Sequence, residues 1–166
     1  AIAESKKTIG ALTDNVDFST LTDPCGMGQE DPLAQSFFVG ERNGIFVTKV
    51  DLYFGTKDEF LPVTVQLRTL KSGVPTTEII PFGEVVLEPD DVNVSSDATV
   101  VTTVTFPSPV YLPGGKSYSI VLLSTSSEYT AWISRMGETD VQSKDRPEAE
   151  QIVVGVQPTL GSLFKS

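Results

Sequence analysis

Residues 45–70 read IFVTKVDLYFGTKDEFLPVTVQLRTL, and this stretch decides the fold class. Its first half places most apolar side chains on even positions, namely Phe46, Val50, Leu52 and Phe54. Lys49, Asp51 and Tyr53 share the odd positions. Side chains of a strand alternate between its two faces, so this pattern predicts a strand with one buried face, the even one.

The second half of the stretch repeats the pattern. Val63, Val65 and Leu67 share one face, whereas Thr64, Gln66 and Arg68 share the other. Between the two runs, Gly55 and the charged residues 57–59 supply the chemistry of a turn. Two antiparallel strands with one apolar face need a second layer to cover that face.

Short strand-like runs also occupy the rest of the chain, without helical stretches between them. We predict further strands over 34–39, 77–82, 83–87, 100–106, 110–112, 118–123, 129–134, 152–156 and 160–164. Pro81 separates two of these runs, and Pro107 with Pro109 ends another. The fold class predicted is all-β: an antiparallel two-sheet β-sandwich, jelly-roll or immunoglobulin-like, with about eight to ten short strands.

The length of 166 residues suits one domain with a real core. We predict that residues 1–30 form a linker or N-terminal arm and that residues 31–136 form the β-sandwich domain. Residues 137–166 are predicted to be a polar loop and closing strands, or a tail, of the same domain. The chain starts with Ala and ends at LGSLFKS, so we expect a segment of a longer polypeptide.

Composition argues against several function classes. A net charge of −10 and an isoelectric point near 4.3 repel a phosphate backbone, so nucleic acid is not an expected partner. No run reaches the length of a membrane span. The chain has no histidine and a single cysteine, Cys25, which we take for an inert thiol. A Ser/His triad, a cysteine-rich zinc site and an internal disulfide are therefore ruled out.

Catalysis is not expected, and no residue is assigned a catalytic or cofactor-binding role. The carboxylates that could form a glycosidase pair are Glu138, Asp140, Asp145, Glu148 and Glu150. Such a pair needs one carboxyl in an apolar pocket, which raises its pKa. These five residues stand in a polar stretch without apolar neighbours, so we interpret them as a solvated loop.

One acidic stretch is a candidate calcium site. Asp90, Asp91, Asn93 and Asp97, with Ser95 between them, present oxygen ligands at close spacing. The stretch lacks two features of an EF-hand. Ser96 stands at the position of its glycine, and the final glutamate is absent. The alternative is a solvated loop that uses its own side chains to form turns. No other cofactor is predicted.

Tyr53, Tyr129 and Trp132 are candidates for an exposed aromatic platform, and Tyr53 and Trp132 are the two that we assign to glycan binding. Tyr53 is flanked by Lys49 and Asp51 on the outward face, and Trp132 is the only tryptophan of the chain. Aromatic rings stack on the apolar face of a sugar ring, as in carbohydrate-binding sandwiches. The alternative for Trp132 is a place in the core, which is the commoner role of a sole tryptophan.

Several stretches carry a resemblance to a known kind of module: DPLAQSFFV at 31–39, GIFVTKVDLYFGTKD at 44–58, PVTVQLRTL at 62–70, FPSPVYLPGGKSYSIVLLS at 106–124 and WISRMGETD at 132–140. They resemble a β-sandwich module of virion structural proteins of T4-like, contractile-tailed bacteriophages, associated with the tail, baseplate or fibres. The resemblance covers residues 31–166 and includes no catalytic motif.

The resemblance implies a structural and interaction module that works through protein–protein contacts with other virion proteins or with the rest of a longer parent chain. It implies a place in the virion, after assembly in the host cytoplasm. Under this hypothesis residues 1–30 or 137–160 contact a neighbouring subunit. The alternative function is a carbohydrate-binding β-sandwich that recognises cell-surface glycans of the host.

Overall fold

The computed structural model describes residues 14–18, 32–133, 147 and 160–165. These residues form ten strands and one 3-10 turn, and no α-helix occurs among them. The all-β prediction is confirmed. The strands are β1 Asp14–Asp17, β2 Leu33–Val39, β3 Ile45–Leu52, β4 Phe54–Thr56, β5 Val63–Lys71, β6 Val74–Leu87, β7 Thr102–Leu112, β8 Lys116–Leu123, β9 Thr130–Ile133 and β10 Leu160–Lys165. The 3-10 turn covers Pro89–Asp91.

The strands pair in a nested order. A five-stranded sheet runs β10-β2-β8-β5-β6, a three-stranded sheet runs β1-β9-β4, and β3 and β7 form a ribbon. All of these pairs are antiparallel. The first half of the chain thus pairs with the second half, β1 with β9, β2 with β8 and β3 with β7, around the β5–β6 hairpin. This is the winding of a rolled-up hairpin, as in a jelly roll.

The β5–β6 hairpin closes through a tight turn at residues 72 and 73. Lys71 pairs with Val74, so Ser72 and Gly73 form a two-residue loop. Their φ angles are 52° and 78°. Positive φ at both central residues is typical of a type I′ turn, whose twist matches that of the strands it joins.

One face of the five-stranded sheet supplies half of the core, which divides into two clusters. The first core cluster lies against β4 and β9 and contains Phe18, Leu33, Phe54, Val63, Val65, Leu87, Val92, Val104, Leu122, Tyr129, Ala131 and Ile133. The second core cluster lies against the ribbon and contains Val39, Leu67, Ile80, Phe106, Val110, Leu112 and Tyr118. Val85 and Ile120 pack against both. The two clusters form one layer between the sheets, which is the core of a sandwich.

The faces predicted for β5 are confirmed on the inner side. Val63, Val65 and Leu67 are fully buried. On the outer side, Gln66 is also buried, with 6% of its surface exposed. Its Nε2 donates to Glu84 Oε2 at 2.6 Å, and its Oε1 accepts from Arg68 Nε at 2.7 Å. These bonds compensate for the burial of the amide.

The buried face predicted for residues 46–54 is wrong at Phe46, which is 67% exposed. A bulge between Val47 and Lys49 switches the faces of β3, so Ile45 and Val47 pack inward before it and Val50 packs inward after it. Val47 pairs with Val110 and Lys49 pairs with Thr105, so β7 contains the extra residues. A bulge of this kind shifts the alternation of side chains by one position.

The prolines predicted to break strands lie inside them. β6 continues through Pro81, and β7 continues through Pro107 and Pro109. In both strands the register of the pairing shifts at the prolines, between Ile79 and Glu84 of β6 and between Thr105 and Val110 of β7. β6 is the last strand of the five-stranded sheet, and β7 belongs to a two-stranded ribbon. A proline has no N–H to donate, and it is tolerated in an edge strand or at a bulge, where the ladder needs no hydrogen bond from that residue.

Phe82 of β6 adopts an unusual backbone conformation, with φ at 65° and 61% of its surface exposed. The left-handed region costs a residue with a Cβ about 1–2 kcal/mol. We therefore expect Phe82→Gly to be more stable than Phe82→Ala by about 1 kcal/mol, measured by urea denaturation. At Val86, which also lies exposed on β6, the order should reverse and alanine should be the more stable. Equal stability of the two Phe82 variants would contradict the strain.

Part of the predicted N-terminal arm belongs to the sandwich. β1 pairs with β9 from Asp14 opposite Ile133 to Asp17 opposite Thr130. Phe18 is 1% exposed, and its ring stacks on that of Tyr129 at a centroid distance of 6.2 Å. The rest of residues 1–31 lies outside the described residues, as do the strand predicted at 152–156 and most of the polar stretch after residue 136. The structure describes no helix long and apolar enough to cross a membrane.

Candidate functional site

The candidate calcium ligands lie in the connection between β6 and β7, and all four are exposed. Asp91 Oδ2 accepts the backbone N–H of Glu88 at 3.2 Å. Asp97 Oδ1 accepts the backbone N–H and the hydroxyl of Thr99, at 3.2 Å and 2.6 Å. These bonds are those of turns closed by their own carboxylates, which is the alternative that the sequence left open.

Asn93 is turned toward β7. Its backbone N–H donates to Thr102 Oγ1 at 3.0 Å, and the Thr102 hydroxyl donates to Asn93 O at 3.1 Å. Its side-chain amide donates to Val101 O at 3.1 Å. Asn93 thus anchors the connection to the sandwich through three hydrogen bonds.

A lysine ammonium lies at the carbonyl oxygens of the same connection. Lys57 Nζ donates to Pro89 O at 2.7 Å and to Val92 O at 2.9 Å. Calcium loops use backbone carbonyls as ligands, and here an internal cation bonds to two of them. Among the described residues no group of three or more His, Cys, Asp or Glu could hold a metal ion. The calcium site remains a prediction from sequence.

The structure brings the two candidate glycan residues together, whereas the exposure predicted for Tyr129 is wrong, because this residue is fully buried. The backbone N–H of Trp132 donates to Tyr53 O at 2.8 Å. Phe54 pairs with Ala131 and both are buried, so their neighbours Tyr53 and Trp132 lie side by side on the outward face. Both are half-buried. The indole Nε1 of Trp132 donates to Ser95 O at 3.0 Å. Because the residue is half-buried, Trp132 is not part of the core, and its ring is also only partly exposed to solvent.

A second aromatic pair, on the ribbon, is more exposed. Phe46 and Tyr111 are cross-strand partners, with ring centroids 5.1 Å apart and an interplanar angle of 41°. They are 67% and 47% exposed. The Tyr111 hydroxyl donates to Asn43 O at 3.1 Å, and a Cβ at Gly44 would lie 2.9 Å from the Tyr111 ring. The ring therefore rests on a glycine that leaves room for it.

A groove of about 750 Å³ opens beside Tyr111, at the end of the sandwich. We call it the end groove. It lies between the first half of β6, the β5–β6 turn and the β7–β8 turn. Its polar side chains are those of Ser36, Thr69, Glu78, Lys116, Ser117 and Tyr118. The Tyr118 hydroxyl donates to Pro113 O at 2.7 Å. Its pKa is raised above the ordinary value, mainly by burial and to a smaller extent by the charge of the nearby Tyr111.

The connection between β4 and β5 displays two apolar side chains on a pinned backbone. Phe60 is 79% exposed and Leu61 is 42% exposed. Asp58 Oδ1 accepts the N–H of Phe60 at 2.7 Å and that of Leu61 at 2.8 Å. Tyr129 donates to Leu61 O at 2.6 Å. We call residues 57–62 the Phe60 loop.

Asp58 is the centre of the Phe60 loop. The Ser126 hydroxyl donates to Asp58 Oδ2 at 2.5 Å. This bond, with the N–H groups of Leu61 and Phe60, stabilises the ionised carboxylate and lowers the pKa of Asp58 below its ordinary value. A lowered pKa means that the bonds keep their full strength above the ordinary carboxyl range and weaken only in stronger acid, as the pH falls through the lowered pKa.

The remaining predicted residues lie outside the described part of the chain. They are Cys25, Glu138, Asp140, Asp145, Glu148 and Glu150. No known protein family, curated protein or solved structure matches the chain.

Proposed function

We propose that the chain is a non-catalytic β-sandwich module of a phage tail or baseplate protein, which works through protein–protein contacts in the virion. The stretches quoted from the sequence support the virion context through their resemblance to such modules. The observation that supports the interaction role is the Phe60 loop. There an aromatic side chain is exposed to solvent on a backbone that is fixed by hydrogen bonds to the rest of the sandwich.

The Phe60 loop has the physical properties of a docking anchor. Asp58 binds two of its N–H groups, and Tyr129 and Ser124 donate to the carbonyls of Leu61 and Pro62. A backbone already held in place loses little conformational freedom when a partner covers it, so more of the contact energy remains as affinity. Aromatic anchors that fill a partner's pocket contribute most of the energy of many interfaces.

Charge adds a constraint on the partner. The chain carries a net charge of −10, so a basic or neutral partner surface would be attracted and an acidic one repelled. Lys57, the only cation in the Phe60 loop, is bonded to Pro89 O and Val92 O. The exposed carboxylate of Glu59 stands next to Phe60. We propose a virion protein with an apolar pocket and a basic rim as the partner of this loop.

Phe60→Asp, introduced into the phage that encodes this chain, is expected to lower the yield of complete tailed particles. Loss of an interface anchor costs at least about 2 kcal/mol, which weakens docking about 30-fold. The side chain contributes little to the core because it is 79% exposed, so the purified variant should melt like the parent. The measurements are particle counts by electron microscopy and a thermal melt.

Val86→Asp is the matched control, because Val86 is 51% exposed on the outer face of the five-stranded sheet. This variant should assemble normally. Parental particle yield with Phe60→Asp would reject the Phe60 loop as the docking anchor. Absence of the chain from purified particles, tested by mass spectrometry, would reject the virion role altogether.

Glycan recognition is the second candidate function, and the adjacency of Tyr53 and Trp132 on one outward face favours it. Asn15 of β1 pairs with Trp132 from the other side, and its side-chain amide fills the space beside Gly55. Two rings with an amide next to them supply the stacking and the hydrogen bonding that a sugar needs.

A further inference from the structure

We infer that the end groove, together with the aromatic pair Phe46 and Tyr111, is a binding site for a neutral oligosaccharide. The inference rests on the second function proposed above, and it places the sugar on different residues from Tyr53 and Trp132. Tyr111 connects the two parts of the site, because its ring pairs with Phe46 on the ribbon and also lines the groove.

The aromatic part of the site is preorganised. The hydroxyl of Tyr111 is bonded to Asn43 O, and its ring lies against Gly44, whose φ of 76° suits a residue without a Cβ. Phe46 supports the ring from the side at 5.1 Å. A fixed aromatic surface of this kind can stack on the C–H face of a pyranose without first losing side-chain freedom.

The polar part of the site favours an uncharged ligand. Glu78 and Lys116 line the end groove with one negative and one positive charge. Hydroxyl-bearing Ser117 and Thr69 lie between the two turns that bound it. A polyhydroxyl ligand can donate to the carboxylate and accept from the ammonium, whereas an anionic sugar would meet the net charge of −10 on the chain.

The size and exposure of the site support the same ligand. A volume of about 750 Å³ lies within the range of roughly 300–1,000 Å³ usual for small-molecule sites. Phe46 and Tyr111 expose more of their surface than the half-buried Tyr53 and Trp132, whose indole N–H is already bonded to Ser95 O. More ring surface is therefore left for a sugar at the end groove.

The test is a titration of the isotope-labelled full chain with maltohexaose, cellohexaose, mannohexaose and chitohexaose, followed by backbone amide NMR. Sugar is added up to about 10 mM, which reaches millimolar dissociation constants. At least one sugar should shift the amides around Tyr111 and Lys116. Tyr111→Ala should weaken this binding about tenfold, because the stacking surface is lost. Phe46→Ala should weaken it less, because Tyr111 remains.

Two variants control the result. Tyr111→Phe keeps the ring and should retain binding within about threefold, since only the bond to Asn43 O is lost. Val86→Ala changes an exposed apolar residue on the outer face of the sheet and should bind as the parent does. Shifts confined to the amides around Tyr53 and Trp132 would overturn the inference and leave glycan recognition standing. A folded chain whose amides respond to none of the four sugars would overturn both this inference and glycan recognition as a function. The docking role of the Phe60 loop would be unaffected, because Phe60→Asp tests it separately.

Discussion

Val65→Asp is expected to abolish the cooperative thermal transition of the chain. Val65 is fully buried in the first core cluster, on the face that β5 turns toward the opposite sheet. A carboxylate there would lie among the apolar side chains of this cluster, and an uncompensated buried charge costs about 3–5 kcal/mol. A domain of this size has a total stability of about 5–15 kcal/mol, so most or all of it would be lost. Circular dichroism during heating measures the effect.

Val86→Asp provides the matched comparison for this prediction. Val86 lies on β6 opposite Thr64, one register step from the Val65–Val85 pair, and is 51% exposed. The same chemical change on the outer face should alter stability by less than about 0.5 kcal/mol. If both variants melted alike, the inner and outer faces of the five-stranded sheet would have been assigned wrongly, since a slip of one residue exchanges them.

Tyr129→Ala is expected to be the most damaging truncation of an aromatic side chain. Tyr129 is fully buried, and its ring lies 6.2 Å from both Phe18 and Phe54. Removing a core aromatic leaves a cavity and costs about 3–5 kcal/mol. Its hydroxyl also holds Leu61 O, so the variant loses an anchor of the Phe60 loop. The free energy of unfolding in urea measures the loss.

Tyr129→Phe separates the hydroxyl from the ring. The ring contacts remain, but Leu61 O loses its donor, at a cost of about 0.5–1.5 kcal/mol, because Leu61 is 42% exposed and water can replace part of the bond. A variant as stable as the parent would show that the hydrogen bond contributes nothing. A cost equal to that of Tyr129→Ala would contradict the role given to the ring contacts.

Alkaline pH reports on the same hydroxyl. Burial first, then the charges of Asp58 and Glu88, raises the pKa of Tyr129 to about 12. The folded state thus holds the proton of the Tyr129 hydroxyl more tightly than the unfolded chain does. The stability that comes from this difference is fully present below pH 10 and is lost as the pH rises through about 12. Tyr129→Phe should lose less stability than the parent across this interval. Parallel pH profiles would contradict the raised pKa.

The sequence was sufficient for the parts of the fold where alternation is uninterrupted. In β5 the inner positions Val63, Val65 and Leu67 follow directly from a period of two, and residues 118–123 were correctly placed in a strand. The strands with prolines extend beyond the predicted runs, because a proline is tolerated at a sheet edge or where the pairing shifts register, as it does in β6 and β7. Neither feature is visible in local sequence.

The candidate sites show the same limit. Tyr53 was correctly assigned to an outward face, and its neighbour Trp132 follows only from the pairing of Phe54 with Ala131. Phe46 was assigned to the wrong face because the bulge after Val47 is produced by extra residues on β7, more than fifty positions away. The Phe46–Tyr111 pair could not be predicted without that register. The bond from Lys57 to Pro89 O likewise joins residues that no local pattern connects.

The nested pairing sets the order in which the protein can fold during synthesis. Among the described strands, β5 and β6 alone are neighbours both in the chain and in a sheet, through the turn at Ser72 and Gly73. β2 and β3 leave the ribosome long before their partner strands β8 and β7. The apolar faces of β2 and β3 therefore stay exposed to solvent until these partners are made. Such long-range pairing slows folding to milliseconds or longer and exposes the nascent chain to aggregation. We therefore expect the hairpin to form first and the outer pairs to close around it in sequence, from the inside outward.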